Sequence, residues 1–281
     1  MIKAIFFDID GTLIASNGKV LESTKKAIAQ AQKRGILCGV STGRGPGSIK
    51  WVAQNLDLDM FITYNGQFVY TKEKVIYARP FETPVLHEII QYANQHSRQM
   101  MLGARDYMDG SLTMRFGQSS FVRRMIRFVP RWFPIRWMKL ALQHYSPNRR
   151  LNRYSKLAIL NEPIYQCVML SADYEAEKLR TALPDCDFQR SNPYIVDIVP
   201  KGGSKLRGIQ FFLAEQGLAL SEAMAFGDHL NDIEMLQGVG VGVSMGNGTP
   251  ETKAAADFVT DSNNEDGIEK ALRHFNLIEE G

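Results

Sequence analysis

The feature that most limits the fold of this chain is an alternation, in its first sixty residues, of short apolar runs with amphipathic stretches. Ile2 to Phe7 is a near-continuous apolar run, the pattern of a strand buried on both faces. Glu22 to Arg34 sets Ala27, Ile28 and Ala31 on one helical face and meets Gly35 at its end. Ile36 to Val40 reads as a second buried strand, Gly47 to Leu56 as a helix and Met60 to Thr63 as a third strand. A β-α-β-α-β order requires right-handed crossovers, which place the strands in one parallel sheet between layers of helix.

The pattern resumes near the other end. Strands are expected at Ile195–Val199, Ala223–Phe226, Val239–Val243 and Phe258–Val259, with helices at Ser204–Glu215, Asp232–Leu236, Glu251–Ala256 and Gly267–Phe275. The expected class is therefore α/β, a doubly wound, mostly parallel sheet. Between the halves the composition changes: two of the three Trp and the breakers Pro130, Pro134, Pro147 and Pro163 fall there. An α+β insert over residues 83–190 is expected, leaving 1–82 and 191–281 as the core domain. Asn65-Gly66, flanked by alternating apolar residues, is a hairpin signal for a type I′ turn.

Bulk properties narrow the function classes. Of 281 residues, 44% are apolar and 22% charged, ordinary for a globular chain with a large core. The three cysteines, Cys38, Cys167 and Cys186, form no C-x-x-C pair, which argues against a thiolate zinc site and suits a reducing, cytoplasmic location. No apolar stretch is long enough for a membrane span, and the apolar start is too short for a signal peptide.

Chemistry concentrates at four predicted strand ends. Ligands in a doubly wound sheet bind beyond the carboxyl ends of its strands. Asp8-Ile9-Asp10-Gly11-Thr12 follows the first strand directly, with two carboxylates two residues apart on one side of an extended chain. Left alone they repel; a hard cation held by carboxylates and phosphate oxygens removes the conflict. An isolated D-x-D is ordinarily only a strand end, but three further signals accompany this one. Ser41-Thr42-Gly43-Arg44 offers a hydroxyl and free N–H groups ahead of a helix. Lys205 follows Ser204, a good N-cap, so a cation sits in a first helical turn where the dipole disfavours it; Lys201 is its rival. Gly227-Asp228-His229-Leu230-Asn231-Asp232 supplies a second carboxylate group after a strand.

Together D-I-D-G-T, S-T-G-R, Lys205 and G-D-H-L-N-D resemble the four motifs of the haloacid dehalogenase superfamily. Ser244-Met-Gly-Asn247, Lys253-Ala-Ala-Ala-Asp257 and Asn263-Asn-Glu-Asp-Gly267 make the chain similar to its Cof-type, class IIB branch, whose α/β cap lies where the insert is expected. Ser41 and Gly248 depart from the commoner Ala at their positions. The resemblance implies a Rossmann-like core and a magnesium-dependent phosphatase acting on a small phosphorylated metabolite of the sugar phosphate, pyridoxal phosphate or flavin mononucleotide class. It implies Asp8 as nucleophile, forming an aspartyl-phosphate, and Asp10 as general acid/base. Ile9, Thr42, Gly43, Arg44, Lys205 and Asn231 are implied phosphate or substrate contacts. Asp8, Asp10 (through its carbonyl) and Asp228 are implied metal ligands, with Asp232 in support. Asn65 and Gly66 are candidates for the pocket rim as well as for the turn, and so is Asn247. A phosphosugar mutase and a non-catalytic phosphate sensor are the alternatives.

The net charge of +3 conceals an asymmetry. Residues 121–156 hold ten Lys/Arg and no acid, leaving 23 of the 33 bases against 30 acids elsewhere. Such a stretch suits a solvated face, selection of an anionic substrate, or contact with an anionic membrane surface. No nucleic-acid recognition motif accompanies it, and no nucleic-acid partner is expected.

Overall fold

The computed structural model of the protein describes residues 1–111, 114 and 154–279; most of the basic stretch, from 121 to 153, lies outside them. The chain divides into two compact units, residues 1–79 with 203–281, and residues 80–202.

The first unit opens with β1 (Ala4–Phe7), whose four side chains are all buried. In α1 (Glu22–Lys33) Thr24, Ala27, Ile28 and Ala31 turn inward at helical spacing, and Gly35, at a φ of 79°, ends it. The chain continues as β2 (Leu37–Ser41), α2 (Pro46–Asn55) with proline in its first turn, and β3 (Met60–Thr63). A hairpin joins β3 to β4 (Phe68–Tyr70), followed by β5 (Val75–Ala78). The Gln67 N–H donates to Tyr64 O, spanning Asn65-Gly66. The left-handed run nevertheless starts earlier, with Tyr64, Asn65 and Gly66 at φ 52°, 51° and 87°. The strands close at the Thr63–Phe68 pair, so the loop is four residues long rather than two.

The second unit holds α3 (Thr83–Gln95), β6 (Met100–Gly103), β7 (Met108–Gly110), β8 (Gln166–Leu170), α4 (Ala176–Ala182), β9 (Cys186–Asn192) and β10 (Ile195–Pro200). Its sheet runs β7-β6-β8-β10-β9 with every neighbouring pair antiparallel. Leu86, Ile89, Ile90 and Ala93 of α3 pack onto Leu102, Cys167, Met169, Val196 and Ile198. Here the structure corrects one expectation. Ile195–Val199, assigned above to the core domain, pairs with β8 and β9 and belongs to the second unit, whose bounds are wider than 83–190 at both ends. An apolar strand carries no local mark of its sheet; its partners decide.

The chain then returns to the first unit through α5 (Lys205–Glu215), capped by the Ser204 hydroxyl, which accepts from Arg207 N–H at 3.3 Å. β11 (Ala223–Gly227), α6 (Ile233–Gly238), β12 (Val241–Ser244), α7 (Pro250–Ala255), β13 (Phe258–Val259) and α8 (Gly267–His274) follow. The eight-stranded sheet runs β13-β12-β11-β1-β2-β3-β4-β5, parallel from β13 to β3. One face packs on α1, α2 and α8 through Ile28, Ala31, Val52, Ala271 and Leu272; the other packs on α5 and α6 through Ile209, Phe212, Met235 and Leu236. From β1 the chain adds strands in one direction, and from β11 in the other. The strand order therefore reverses between β1 and β11, where a doubly wound sheet opens a crevice.

Candidate active site

Asp8 is the first residue beyond β1, and its N–H still donates to Phe226 O at 2.9 Å, continuing the parallel ladder by one bond. Phe7 faces Phe226 in register, their rings stacked with centroids 5.1 Å apart in the core on the α1, α2 and α8 face. Beyond the strand ends lies a buried ionic cluster. The Lys205 ammonium, 2% exposed, donates to Asp8 Oδ1 at 2.6 Å and to Asp232 Oδ1 at 2.5 Å. The other Asp232 oxygen accepts the N–H groups of Asp228 and His229, each at 3.0 Å, which closes the turn after β11. Asp228 Oδ1 accepts from the Thr12 hydroxyl at 3.0 Å.

Two glycines make this approach possible. A Cβ on Gly227 would lie 2.6 Å from the Asp232 carboxyl carbon, so a larger residue would block Asp232 from folding back over the strand end. Gly11, at a φ of 88°, turns the chain away from the site, and a Cβ there would stand 2.2 Å from Asp228 Oδ2.

Electrostatically the cluster holds more negative than positive charge. Burial pushes Asp8 well above the usual carboxylate range; the Lys205 ammonium opposes that shift, and the charges of Asp232 and Asp228 add to it. Asp228 is pushed up to about 6, by burial first and by Asp232 next. Burial would lower the Lys205 pKa, but Asp232 and Asp8 outweigh it and hold the ammonium charged.

The donor chemistry fits a hard cation. Oxygens of Asp8, Asp228 and Asp232 lie within 4.8 Å of one another, and three carboxylates face one ammonium. Both oxygens of Asp232 are already engaged, by Lys205 and by two N–H groups, whereas Asp8 and Asp228 each accept a side-chain bond through Oδ1, so these two are the better placed to meet a metal.

The remaining expected residues divide. Ile9 is fully buried, packed into the core on the α1 face. Thr42 is buried beyond β2, with its N–H donating to Ile62 O at 2.9 Å and its hydroxyl accepting Arg44 N–H at 3.1 Å. Gly43 lies between them in the same turn. Asn65 N–H donates to Thr42 O at 3.0 Å, and a Cβ on Gly66 would lie 2.0 Å from Ser204 O. The hairpin loop thus touches both the Thr42 turn and the start of α5. Asn231 is half-buried in the short turn of 3-10 helix between Asp228 and α6. The Asp10 carboxylate is not in the buried cluster: Arg44 Nε and Nη2 donate to its two oxygens at 2.7 and 2.5 Å.

Sequence reasoning missed Thr12 as the partner of Asp228, although the residue lies within the D-I-D-G-T motif. It also left Asn247 between a turn and a pocket role. Asn247 Nδ2 donates to Gly11 O at 2.8 Å and its Oδ1 accepts Asn263 N–H at 2.9 Å, while Asn263 Nδ2 donates to Ile14 O at 2.7 Å. Two asparagines from late in the chain therefore brace the loop after β1.

Comparison with known proteins gives the same picture. The family described as haloacid dehalogenase-like hydrolases matches residues 5–272. YkrA of Bacillus subtilis, provisionally named a phosphatase, is 32% identical over 276 residues, covering 98% of each chain. The 5-amino-6-(5-phospho-D-ribitylamino)uracil phosphatase YcsE of the same organism is 26% identical over 278 residues, covering 98% of this chain and 96% of its own. The solved structure of BT4131, a sugar phosphatase of subclass IIB, superposes with a TM-score of 0.78 at 27% identity over 98% of this chain and 100% of the other. A family match over nearly the whole length, on a sheet whose strand-order reversal gathers the loops of Asp8, Lys205 and Asp228, leads to one assignment: the chain belongs to the haloacid dehalogenase-like hydrolases, in their Cof-type, class IIB branch, and is a phosphatase.

Proposed function

We propose that this phosphatase is magnesium-dependent and hydrolyses small phosphorylated metabolites through an aspartyl-phosphate on Asp8. The observation that carries the proposal is the position of Lys205, buried between Asp8 and Asp232 with Asp228 alongside, at the point where the strand order reverses. A binding module has no need to bury an ammonium against one particular carboxylate at the cost of desolvating both. A magnesium ion would be held by the carboxylates of Asp8 and Asp228 and the backbone carbonyl of Asp10, and when bound it supplies the positive charge that lets an anionic phosphate approach an anionic nucleophile.

In the first step an Asp8 oxygen attacks phosphorus in line, the bond from phosphorus to the ester oxygen breaks, and Asp10 donates its proton to the departing alkoxide. In the second, water attacks the phosphorus of the acyl phosphate, Asp10 takes up the water's proton, and the bond from Asp8 to phosphorus breaks to release phosphate. Phosphoryl transfer depends mainly on position and charge stabilisation. Lys205 supplies charge at Asp8, and Thr42, Gly43, Asn231 and the N–H groups after Asp8 cradle the phosphate oxygens. A substrate of the sugar phosphate, pyridoxal phosphate or flavin mononucleotide class accords with the relatives named for a phosphoribitylamino pyrimidine and for sugar phosphates.

The test is a panel of phosphorylated metabolites assayed for released phosphate with magnesium. Activity should vanish on chelation and return on adding the metal, and Asp8→Asn should reduce it to background. Borohydride reduction of quenched wild-type enzyme, followed by peptide mass analysis, should convert residue 8 into homoserine. Turnover that survives in clean Asp8→Asn protein would exclude Asp8 as nucleophile.

A further inference from the structure

We infer that Arg44 is a positioning residue for Asp10, holding the acid/base carboxylate in its working rotamer, and is not itself a phosphate ligand. The inference rests on the proposed role of Asp10 and adds to it a residue that acts through Asp10.

The geometry is a two-pronged ion pair: Nε donates to Oδ2 at 2.7 Å and Nη2 to Oδ1 at 2.5 Å. This parallel arrangement fixes the plane of a carboxylate as well as its distance, which a point charge cannot do. Asp10 needs that help. Its side chain is 60% exposed, and among the acids at the strand ends its carboxylate alone stands apart from the buried cluster. A carboxylate in water would otherwise sample several rotamers. Both ends of the pair stand on fixed backbone. The Arg44 N–H donates to the Thr42 hydroxyl at 3.1 Å, and the Arg44 carbonyl accepts Tyr64 N–H at 3.0 Å. Beside Asp10, the Gly11 carbonyl accepts from Asn247 at 2.8 Å, and Ile14 N–H closes the loop onto Ile9 O at 3.0 Å. A fork spent on Asp10 has two of its donors already used, so a phosphate would have to compete with a carboxylate for them.

The consequence concerns proton donation to the leaving oxygen. An alkyl phosphate expels a basic alkoxide that must be protonated, whereas 2,4-dinitrophenyl phosphate expels an anion that needs no proton. The experiment compares kcat/KM for the two esters, since this parameter covers every step up to departure of the leaving group. For Arg44→Met we expect a fall of about 10²-fold on the alkyl ester, the scale of a lost general acid, and only a few-fold on the aryl ester. Asp10→Asn should give the same contrast, and Arg44→Met added to it should cost little more. Arg44→Lys, which keeps the charge but not the fork, should behave like Arg44→Met and supplies the reading if the methionine variant does not fold. An equal fall on both esters, or retention of activity by Arg44→Lys, overturns the inference and returns Arg44 to phosphate binding. The roles of Asp10 and Arg44 fail separately. If Asp10→Asn lacks the contrast, the acid role of Asp10 is wrong and the inference falls with it; if Asp10→Asn shows it and Arg44→Met does not, only the role of Arg44 is wrong.

Discussion

Lys205 is the residue on which the site balances. Its ammonium is almost fully buried, and its two carboxylate partners come from the end of β1 and from the turn after β11. Taking such charges out of water is costly, and their mutual attraction is what offsets the cost; removing one partner leaves the others uncompensated. Lys205→Met should therefore lose activity and also destabilise the fold, by about 3–5 kcal/mol on the scale of broken buried pairs. Chemical denaturation monitored by circular dichroism measures the second effect. Adding Asp8→Asn to Lys205→Met should restore part of the lost stability, because it removes one of the stranded charges. If the single variant is as stable as the wild type, the triad is not a coupled unit.

At the scale of elements, the close meeting of the β3–β4 loop with α5 sets where Lys205 points. A Cβ on Gly208 would come 2.8 Å from the Gly66 Cα and 2.5 Å from Ile62 Cγ2, with backbone on one side that cannot step aside. Gly208→Ala should thus destabilise by about 1–3 kcal/mol through overpacking, although Ala is intrinsically the better helix former. It should also lower turnover, since Lys205 lies one turn earlier in the same helix and moves with it. An unchanged melting temperature and full activity would show that α5 has slack at this contact. Much of this layer was legible from sequence: the buried runs Ile2–Phe7 and Ala223–Phe226 mark their strands by composition alone, and Ser204 announces the start of α5. The strand Ile195–Pro200 was legible but its sheet was not, because its apolar pattern suits either sheet and only antiparallel pairing with β8 and β9 assigns it. The same limit holds at the site. Motifs named which residue types gather, but the fork of Arg44 on Asp10 and the reach of Asn247 to Gly11, 236 residues away, are products of the folded backbone and leave no spacing to read.

The whole molecule is two units with separate cores, joined where the chain passes from Arg79 to Pro80 and from Gly202 to Gly203, so their stabilities need not respond alike to solution conditions. Acid should separate them. In the second unit Glu175 accepts from both Arg98 Nη groups, from the Ser171 hydroxyl at 3.2 Å and from Ala172 N–H at 3.1 Å, tying the residues after α3 to those after β8. Burial by itself would raise the Glu175 pKa, but the Arg98 guanidinium and these hydrogen bonds together hold it below its ordinary 4.5. A carboxylate whose pKa is lower in the folded state stabilises that state fully above its unfolded pKa, and this contribution is lost as pH falls through the folded value. The second unit should therefore lose stability below about pH 4.5, and Glu175→Gln should be less stable near neutrality yet show a shallower decline in that acid window. Hydrogen exchange read by mass spectrometry on peptides covering Gln166–Leu170 and Ile195–Pro200 reports this unit separately from β1 and β11. Equal acid slopes for wild type and Glu175→Gln in those peptides would assign the sensitivity to other carboxylates, whereas a change confined to them would make Glu175 the residue through which acid opens the second unit.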